Sequence, residues 1–267
     1  MLDRALTFTT PTITTLIRRR GGEPHNTFGA KAVFMEDGMR RELDERVNEA
    51  LAEYGLLGPR GMERGFAATI EAIAQPQVEF YGWFEGKFAP GLPSNFTVLV
   101  GSANGTGFVA ARSITEEVVT IAPLRSEQLL QGFLEQIPPG QPGRGQTMIV
   151  EKSEFLTGRA PQAEAEDGFR IMQAAPRTGA PPAGGKEMQR ILGLDRTGGG
   201  SVYMAARTRA GTRRRIERPL NFIDTVEGRW LMEELPGRGD SRIAFAPATL
   251  QLFGDRLRSA QSRIMGG

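Results

Sequence analysis

A lone histidine, His25, and the absence of cysteine narrow the chemistry open to this chain of 267 residues. Cysteine nucleophiles, disulfide frameworks, cysteine-based zinc sites and cysteine-ligated iron–sulfur clusters are excluded by composition. A histidine-dependent triad has to be built on His25, which sits in the polar stretch Gly21-Gly22-Glu23-Pro24-His25-Asn26. The pairs Glu116-Glu117 and Glu233-Glu234 are of the right type for general acid–base work. Adjacent strand residues point to opposite faces, however, so surface charge is the simpler reading. Glu164, Glu166 and Asp167 read as a solvated acidic run rather than an oxygen-ligand metal site. The clusters Gly105-Thr106-Gly107 and Gly198-Gly199-Gly200 lack the Lys-Ser/Thr and the strand-to-helix setting of a phosphate loop, and read as turns. No catalytic residue, metal ligand or cofactor site is expected.

Arginine is the chemistry that remains. Only Lys31, Lys87, Lys152 and Lys186 are lysine among 33 basic residues, and 31 acids leave a net charge of +2. Arg213-Arg214-Arg215 follows Arg207 and Arg209 across the turn Ala210-Gly211-Thr212, so one hairpin tip gathers five guanidiniums. Such a tip could grip nucleic-acid phosphates. The small net charge, 7% aromatic residues and the lack of a nucleic-acid motif favour a solvated tip or an acidic protein partner instead. Arg18-Arg19-Arg20 reads as a charge cluster closing a helix, where the dipole favours cations. Asp224-Thr225-Val226-Glu227-Gly228-Arg229-Trp230 reads as a turn. Asp224 can accept backbone N–H groups, Gly228 can take a positive φ, and Arg229 can pair with Asp224 across it.

The elements that must position these residues follow from periodicity. Residues 5–38 are polar and poorly periodic, with a short helix expected around Thr12–Arg19. Leu43, Val47, Leu51 and Tyr54 share a helical stripe that ends at Gly55. A second helix is expected from Arg60 to Ala74, forming an antiparallel hairpin with the first. Strands are expected at 77–87, 96–101, 108–113 and 118–122, with Asn104-Gly105 as a type I′ hairpin turn. A helix over 126–137 completes this unit. The second unit repeats the order: a helix at 186–194, strands at 201–209, 214–223, 229–235 and 241–246, and a final helix at 248–264. Between the units, residues 138–185 hold 15 glycines and prolines in 48 positions, the composition of a connector. Met148–Val150 is a candidate short strand within it.

A constant offset relates the units. At a shift of 124, Val78 and Phe80 match Val202 and Met204, and Val119, Ile121, Ala122 and Pro123 match Ile243, Phe245, Ala246 and Pro247. Leu129 and Phe133 match Phe253 and Leu257 at that shift, while the loop glycines Gly105 and Gly228 lie 123 apart. The expected fold class is α+β, with pseudo-twofold duplicated helix–meander–helix units. Their strands form one large antiparallel sheet or two adjacent sheets, and their helices cover one face or the ends. The expected organisation is an N-terminal segment 1–38, a first half 39–137, a connector 138–185 and a second half 186–267, both halves in one compact domain. No apolar run reaches the ~18 residues of a membrane span, and Met1-Leu2-Asp3-Arg4-Ala5 lacks a signal-peptide pattern, so a cytoplasmic location is expected.

The order of short motifs from residue 40 to residue 267 resembles the EspG family, actinobacterial proteins associated with ESX (type VII) secretion. The resemblance is carried by Gly200-Ser201-Val202, Arg213-Arg214-Arg215, Pro219-Leu220-Asn221-Phe222-Ile223-Asp224-Thr225, Gly228-Arg229-Trp230 and Ala246-Pro247 before a terminal helix. In the first half, Tyr54-Gly55-Leu56 and Ala74-Gln75-Pro76 end the two helices. The arginine-rich, lysine-poor composition agrees with the GC-rich genomes of such organisms. The resemblance implies a cytosolic, non-enzymatic chaperone that binds the exposed apolar tip of a helical PE–PPE heterodimer and keeps it soluble for export. It also implies a central antiparallel sheet with helical bundles, the partner being held by the sheet face and the C-terminal helices. Expected partner-binding residues are Tyr203, Arg207, Arg214, Asn221 and Phe222 on the second-half strands and hairpin, with Leu252 and Arg256 on the last helix. Alternation along a strand means that a one-residue change of register exposes the opposite set. The competing reading is a nucleic-acid-binding regulator using the Arg213–Arg215 hairpin.

Overall fold

The alternating runs in both halves pair into one sheet. A computed structural model describes residues 2–29, 36–59, 61–152, 183–208, 210–235 and 241–266. Arg209 and the Glu164, Glu166 and Asp167 run lie outside the described residues. The first-half meander is β4 (Val78–Gly86), β5 (Asn95–Ala103), β6 (Thr106–Ser113) and β7 (Val118–Leu124). The second comprises β9 (Arg196–Arg207), β10 (Arg213–Arg215), β11 (Leu220–Thr225), β12 (Gly228–Leu235) and β13 (Arg242–Pro247). Strands β1 (Leu6–Thr9) and β8 (Met148–Glu151) close the two edges. The strand order is β1-β7-β6-β5-β4-β9-β11-β12-β13-β8, with β10 paired to β9. A separate two-stranded ribbon, β2 (Leu57–Gly58) and β3 (Gly61–Met62), links two helices.

Helices cover both faces, rather than one face or the ends, because the central strands carry apolar side chains on both sides. On the first face, α1 (Thr10–Arg19) packs against α2 (Asp37–Glu53) and α3 (Arg64–Ala74). Their buried Leu16, Val47 and Ile70 meet Leu99, Ala110 and Ile121 of the sheet. The two helices expected to form a hairpin are thus bridged by α1. The same face of the second meander receives α5 (Ala183–Leu192), whose Met188 and Ile191 pack on Ile223, Trp230 and Phe245. On the opposite face, α4 (Leu129–Leu134) and α6 (Leu250–Gly266) place Phe133, Phe253 and Leu257 against Phe80, Phe84, Met204 and Phe222.

Several boundaries move for local reasons. Glu63 accepts the N–H groups of Gly65 and Phe66 at 2.8 and 2.6 Å, so α3 starts at Arg64 and not at residue 60. The expected strand 214–223 divides into β10 and β11: Arg215 opposes Ala205, yet Leu220 opposes Val202. Five steps on one strand therefore span three on its neighbour, which is a bulge with Pro219 in it. Asn104 and Gly105 have φ of 50° and 76°, as a type I′ turn requires.

The Gly198–Gly200 triplet is not a turn; it lies within β9. A Cβ on Gly200 would come within 2.6 Å of the Trp83 carbonyl oxygen and 2.7 Å of the Phe222 ring. The glycines permit close passage between neighbours, a cause that lies in distant residues. The start of the connector behaves alike. Gly143 donates its N–H to the Arg229 carbonyl at 2.8 Å, and a Cβ there would sit 2.1 Å from the Trp230 ring. Trp230 is fully buried and stacks on Phe245 at 5.2 Å, so it cannot retreat. Gly143→Ala should lower stability by about 1–3 kcal/mol, as overpacking does. A urea denaturation midpoint unchanged from that of the parent would contradict this packing.

Candidate functional site

The β9–β10 hairpin turns on Thr208 and Gly211, the latter at φ +79°. A cavity lies on each side of it. The larger, about 990 Å³, is bounded by the Arg214–Leu220 segment, the end of β12 and the last turns of α6. Ile216, Leu257 and Ala260 are among its apolar lining, and Arg214, Arg256 and Glu233 are on its rim. Arg256 pairs with Glu233 at 2.8 Å and Arg218 with Glu234 at 3.1 Å. Arg214 has no carboxylate partner among the described residues. An apolar floor with a charged rim is the anatomy of a protein-binding surface.

The smaller cavity, about 450 Å³, lies between the Gly21–Asn26 stretch, the end of α3 and the face of the sheet carrying Glu79 and Tyr81. Arg213 reaches across it. Its guanidinium pairs with Glu79, lies 3.2 Å from His25 Nε2 and stands 5.8 Å from the Tyr81 ring centroid. The Glu79 side chain is only 2% exposed, and its Oε2 has no partner among the described residues. Burial pushes the Glu79 carboxyl up from its usual range while the Arg213 charge draws it back. Burial first, and then Arg213, lower His25 to about 3, so its ring is neutral at ordinary pH. Arg213 can only donate, which makes Nε2 an acceptor. On the other side of the ring, Nδ1 lies 2.9 Å from Thr27 Oγ1 and 3.3 Å from the Thr27 backbone N.

The expected partner-binding residues divide between the two faces of the sheet. Tyr203, Arg207 and Asn221 share the face of the smaller cavity. Tyr203 stacks on Tyr81 at 5.1 Å beneath the Arg215 guanidinium, and Asn221 Oδ1 accepts from Ser201 Oγ at 2.5 Å. Arg214 and Arg256 come together at the larger cavity. Leu252 is half-buried on α6. Phe222 is 2% exposed beneath α6, with Phe253 at 5.5 Å, so its ring belongs to the core. His25, Glu79, Tyr81 and Arg213 were not singled out from the sequence as partner-binding. Their signal was the acid Glu79 within the largely apolar run of β4.

The Asp224–Trp230 turn is structural. Arg229 is 2% exposed and donates from Nε and Nη2 to Asp224 at 2.6 and 2.8 Å, and from Nη1 to the Pro138 carbonyl at 2.7 Å. Its guanidinium stands 4.4 Å from the Phe222 ring centroid. Thr225, not Asp224, accepts the turn N–H, from Glu227 at 3.2 Å. A third cavity of about 600 Å³ beside this turn is bordered by the already paired Asp224 and Arg229.

The sequence matches the EspG family over residues 16–259. The chain belongs to the EspG family. This match takes in Arg18–His25, which lay outside the motif order running from residue 40, so the stretch bordering the smaller cavity is part of the EspG pattern. No curated protein matches the chain. Among solved structures, the chain is similar to the Mycobacterium tuberculosis type VII secretion system chaperone EspG5, determined in complex with the PE25–PPE41 dimer. That likeness has a TM-score of 0.59 at 15% identity and covers 97% of this chain and 96% of the other. It is a likeness of fold.

The His25 environment gives a pH prediction. A folded pKa of about 3 lies below the ordinary 6.5, so the unfolded chain takes up the proton first. His25 costs no stability above about pH 6.5, and stability falls as pH drops from there toward 3. The melting temperature should therefore fall less between pH 7.5 and pH 5 in His25→Gln than in the parent. Equal falls would show that the ring is not held neutral.

Proposed function

We propose that this EspG-family protein is a cytoplasmic chaperone of type VII secretion, without catalytic activity, that caps the exposed tip of a helical PE–PPE-like substrate. The observation that carries the reading is the 990 Å³ cleft between the arginine hairpin and the C-terminal helix. It lies in a fold like that of a chaperone determined with a PE–PPE dimer. Withdrawing the tip's apolar side chains from water supplies affinity at roughly 25 cal/mol per Å² buried. The arginine rim answers carboxylates and carbonyls at the substrate's edge. Phe222 acts here as the floor supporting α6, while Arg214, Arg256 and Leu252 border or flank the contact. The hairpin needs no nucleic acid to account for it, since Arg213 is engaged by Glu79 and Arg215 lies over Tyr203.

The same reading takes the fold as an internal duplication of residues 39–137 and 186–267 within one compact domain. Support comes from the strand order, which reads outward from β4 and β9 as two equivalent meanders. An offset of 124 would put the pseudo-twofold axis between Phe80 and Met204, which are opposed in the register. Each half then borrows an edge strand, β1 or β8, from a flanking segment.

Co-expression with a PE–PPE-like pair encoded in the same genome tests the function. The pair should become soluble and copurify with the chaperone. The double change Arg214→Glu with Arg256→Glu should weaken the complex roughly tenfold or more, as like-charge contacts at an interface do. Failure of every such pair to copurify, together with salt-dependent binding of duplex DNA, would overturn the reading in favour of a nucleic-acid regulator.

A further inference from the structure

We infer that the smaller cavity is an anion subsite that takes a single carboxylate side chain from the substrate protein. This inference rests on the chaperone reading and adds a second point of attachment to it. Three guanidiniums, those of Arg207, Arg213 and Arg215, border the cavity. Two carboxylates face them. Glu79 is buried and engaged by Arg213, and Glu23 is exposed at the mouth with no ion pair among the described residues. Neither Arg207 nor Arg215 forms an ion pair among the described residues, although the Arg207 charge acts on Glu79, whereas Arg218 and Arg256 across the hairpin each have one. Arg207 donates through Nη1 to the Gly211 carbonyl at 3.1 Å, but its buried Nε has no acceptor among the described residues. A buried donor left without an acceptor carries a desolvation cost that a ligand oxygen removes. His25, being neutral, adds no charge of its own.

The geometry favours a carboxylate over a phosphate. A planar carboxylate accepts two parallel N–H bonds from a guanidinium fork. A dianion would be repelled by Glu23 at the mouth and by the free Glu79 oxygen within. Arg215 borders both cavities, so the subsite lies just across β10 from the larger cleft. Strands are about 5 Å apart, which is within reach of one acidic side chain on a tip seated in that cleft. The hairpin then becomes a wall that the substrate straddles, its apolar residues on one side and its acid on the other.

Binding of a copurifying PE–PPE-like pair, measured against the parent, Arg207→Gln, Arg215→Gln and the double variant at several salt concentrations, tests the subsite. The double variant should weaken binding roughly tenfold or more, with a shallower salt dependence and an unchanged melting temperature. Replacing the acids of the substrate tip by their amides, one at a time, should reveal a single position that weakens binding to the parent but not to the double variant. If the parent holds the substrate and the double variant holds it equally well, the subsite is overturned while the chaperone reading stands. Competition by millimolar inorganic phosphate or duplex DNA that depends on Arg207 and Arg215 would overturn the carboxylate assignment. If the parent holds no such pair, the subsite falls together with the chaperone reading.

Discussion

Strand β4 runs antiparallel to β9 from Val78 opposite Ala206 to Gly86 opposite Gly198, and this seam joins two meanders that would otherwise each end in an open edge. Its two faces carry different chemistry. Phe80, Phe84, Val202 and Met204 point toward α4 and α6 and form the central core. Tyr81, Trp83 and Tyr203 point the other way and form an aromatic cluster, with Tyr81 and Tyr203 stacked within 5° of parallel. The glycines of β9 allow the seam to close, since side chains at Gly198 or Gly200 would push against β4 and Phe222. Everything proposed about binding depends on this seam, because it fixes where the β9–β10 hairpin leaves the sheet.

Burial of charge divides the residues that hold the fold from those available to a partner. Arg229 is enclosed by Asp224, the Pro138 carbonyl and Phe222, and removing one partner of such a pair leaves an uncompensated buried charge. Arg213 has a comparable role at the seam, tying Glu79 to His25 and so holding the N-terminal stretch against the sheet. Arg207 acts on Glu79 through its charge without a direct ion pair, and Arg214 and Arg215 form no ion pair among the described residues. Five guanidiniums that look equivalent in the sequence thus have distinct roles among the four that are described.

Local signals were legible and long-range ones were not. The helical stripe of Val47 and Leu51 is buried as its period requires, at 0% and 1% exposure. The Asn104-Gly105 turn and the Asp224–Arg229 pair depend on neighbours a few residues away, and both could be read from the chain. Strand β1 escaped because four residues, of which only Leu6 and Phe8 face inward, are too short to establish a period. The Gly198–Gly200 triplet was misread as a turn because what it accommodates, Trp83 and Phe222, lies elsewhere in the sequence. The smaller cavity had the same difficulty: Glu79 and Arg213 are 134 positions apart, and only the seam brings them together. The expected partner-binding residues lie on β9, β10, β11 and α6, but one list mixed two faces, since alternation cannot say which face is open.

Hydrogen–deuterium exchange of the protein alone and in complex with a copurified PE–PPE-like pair addresses the central claim most directly. A substrate that straddles the hairpin should slow exchange at residues 21–26, 213–218 and 256–264, leaving the β8–β13 edge unchanged. Protection confined to that edge or to α5, with the hairpin exchanging as in the free protein, would contradict it.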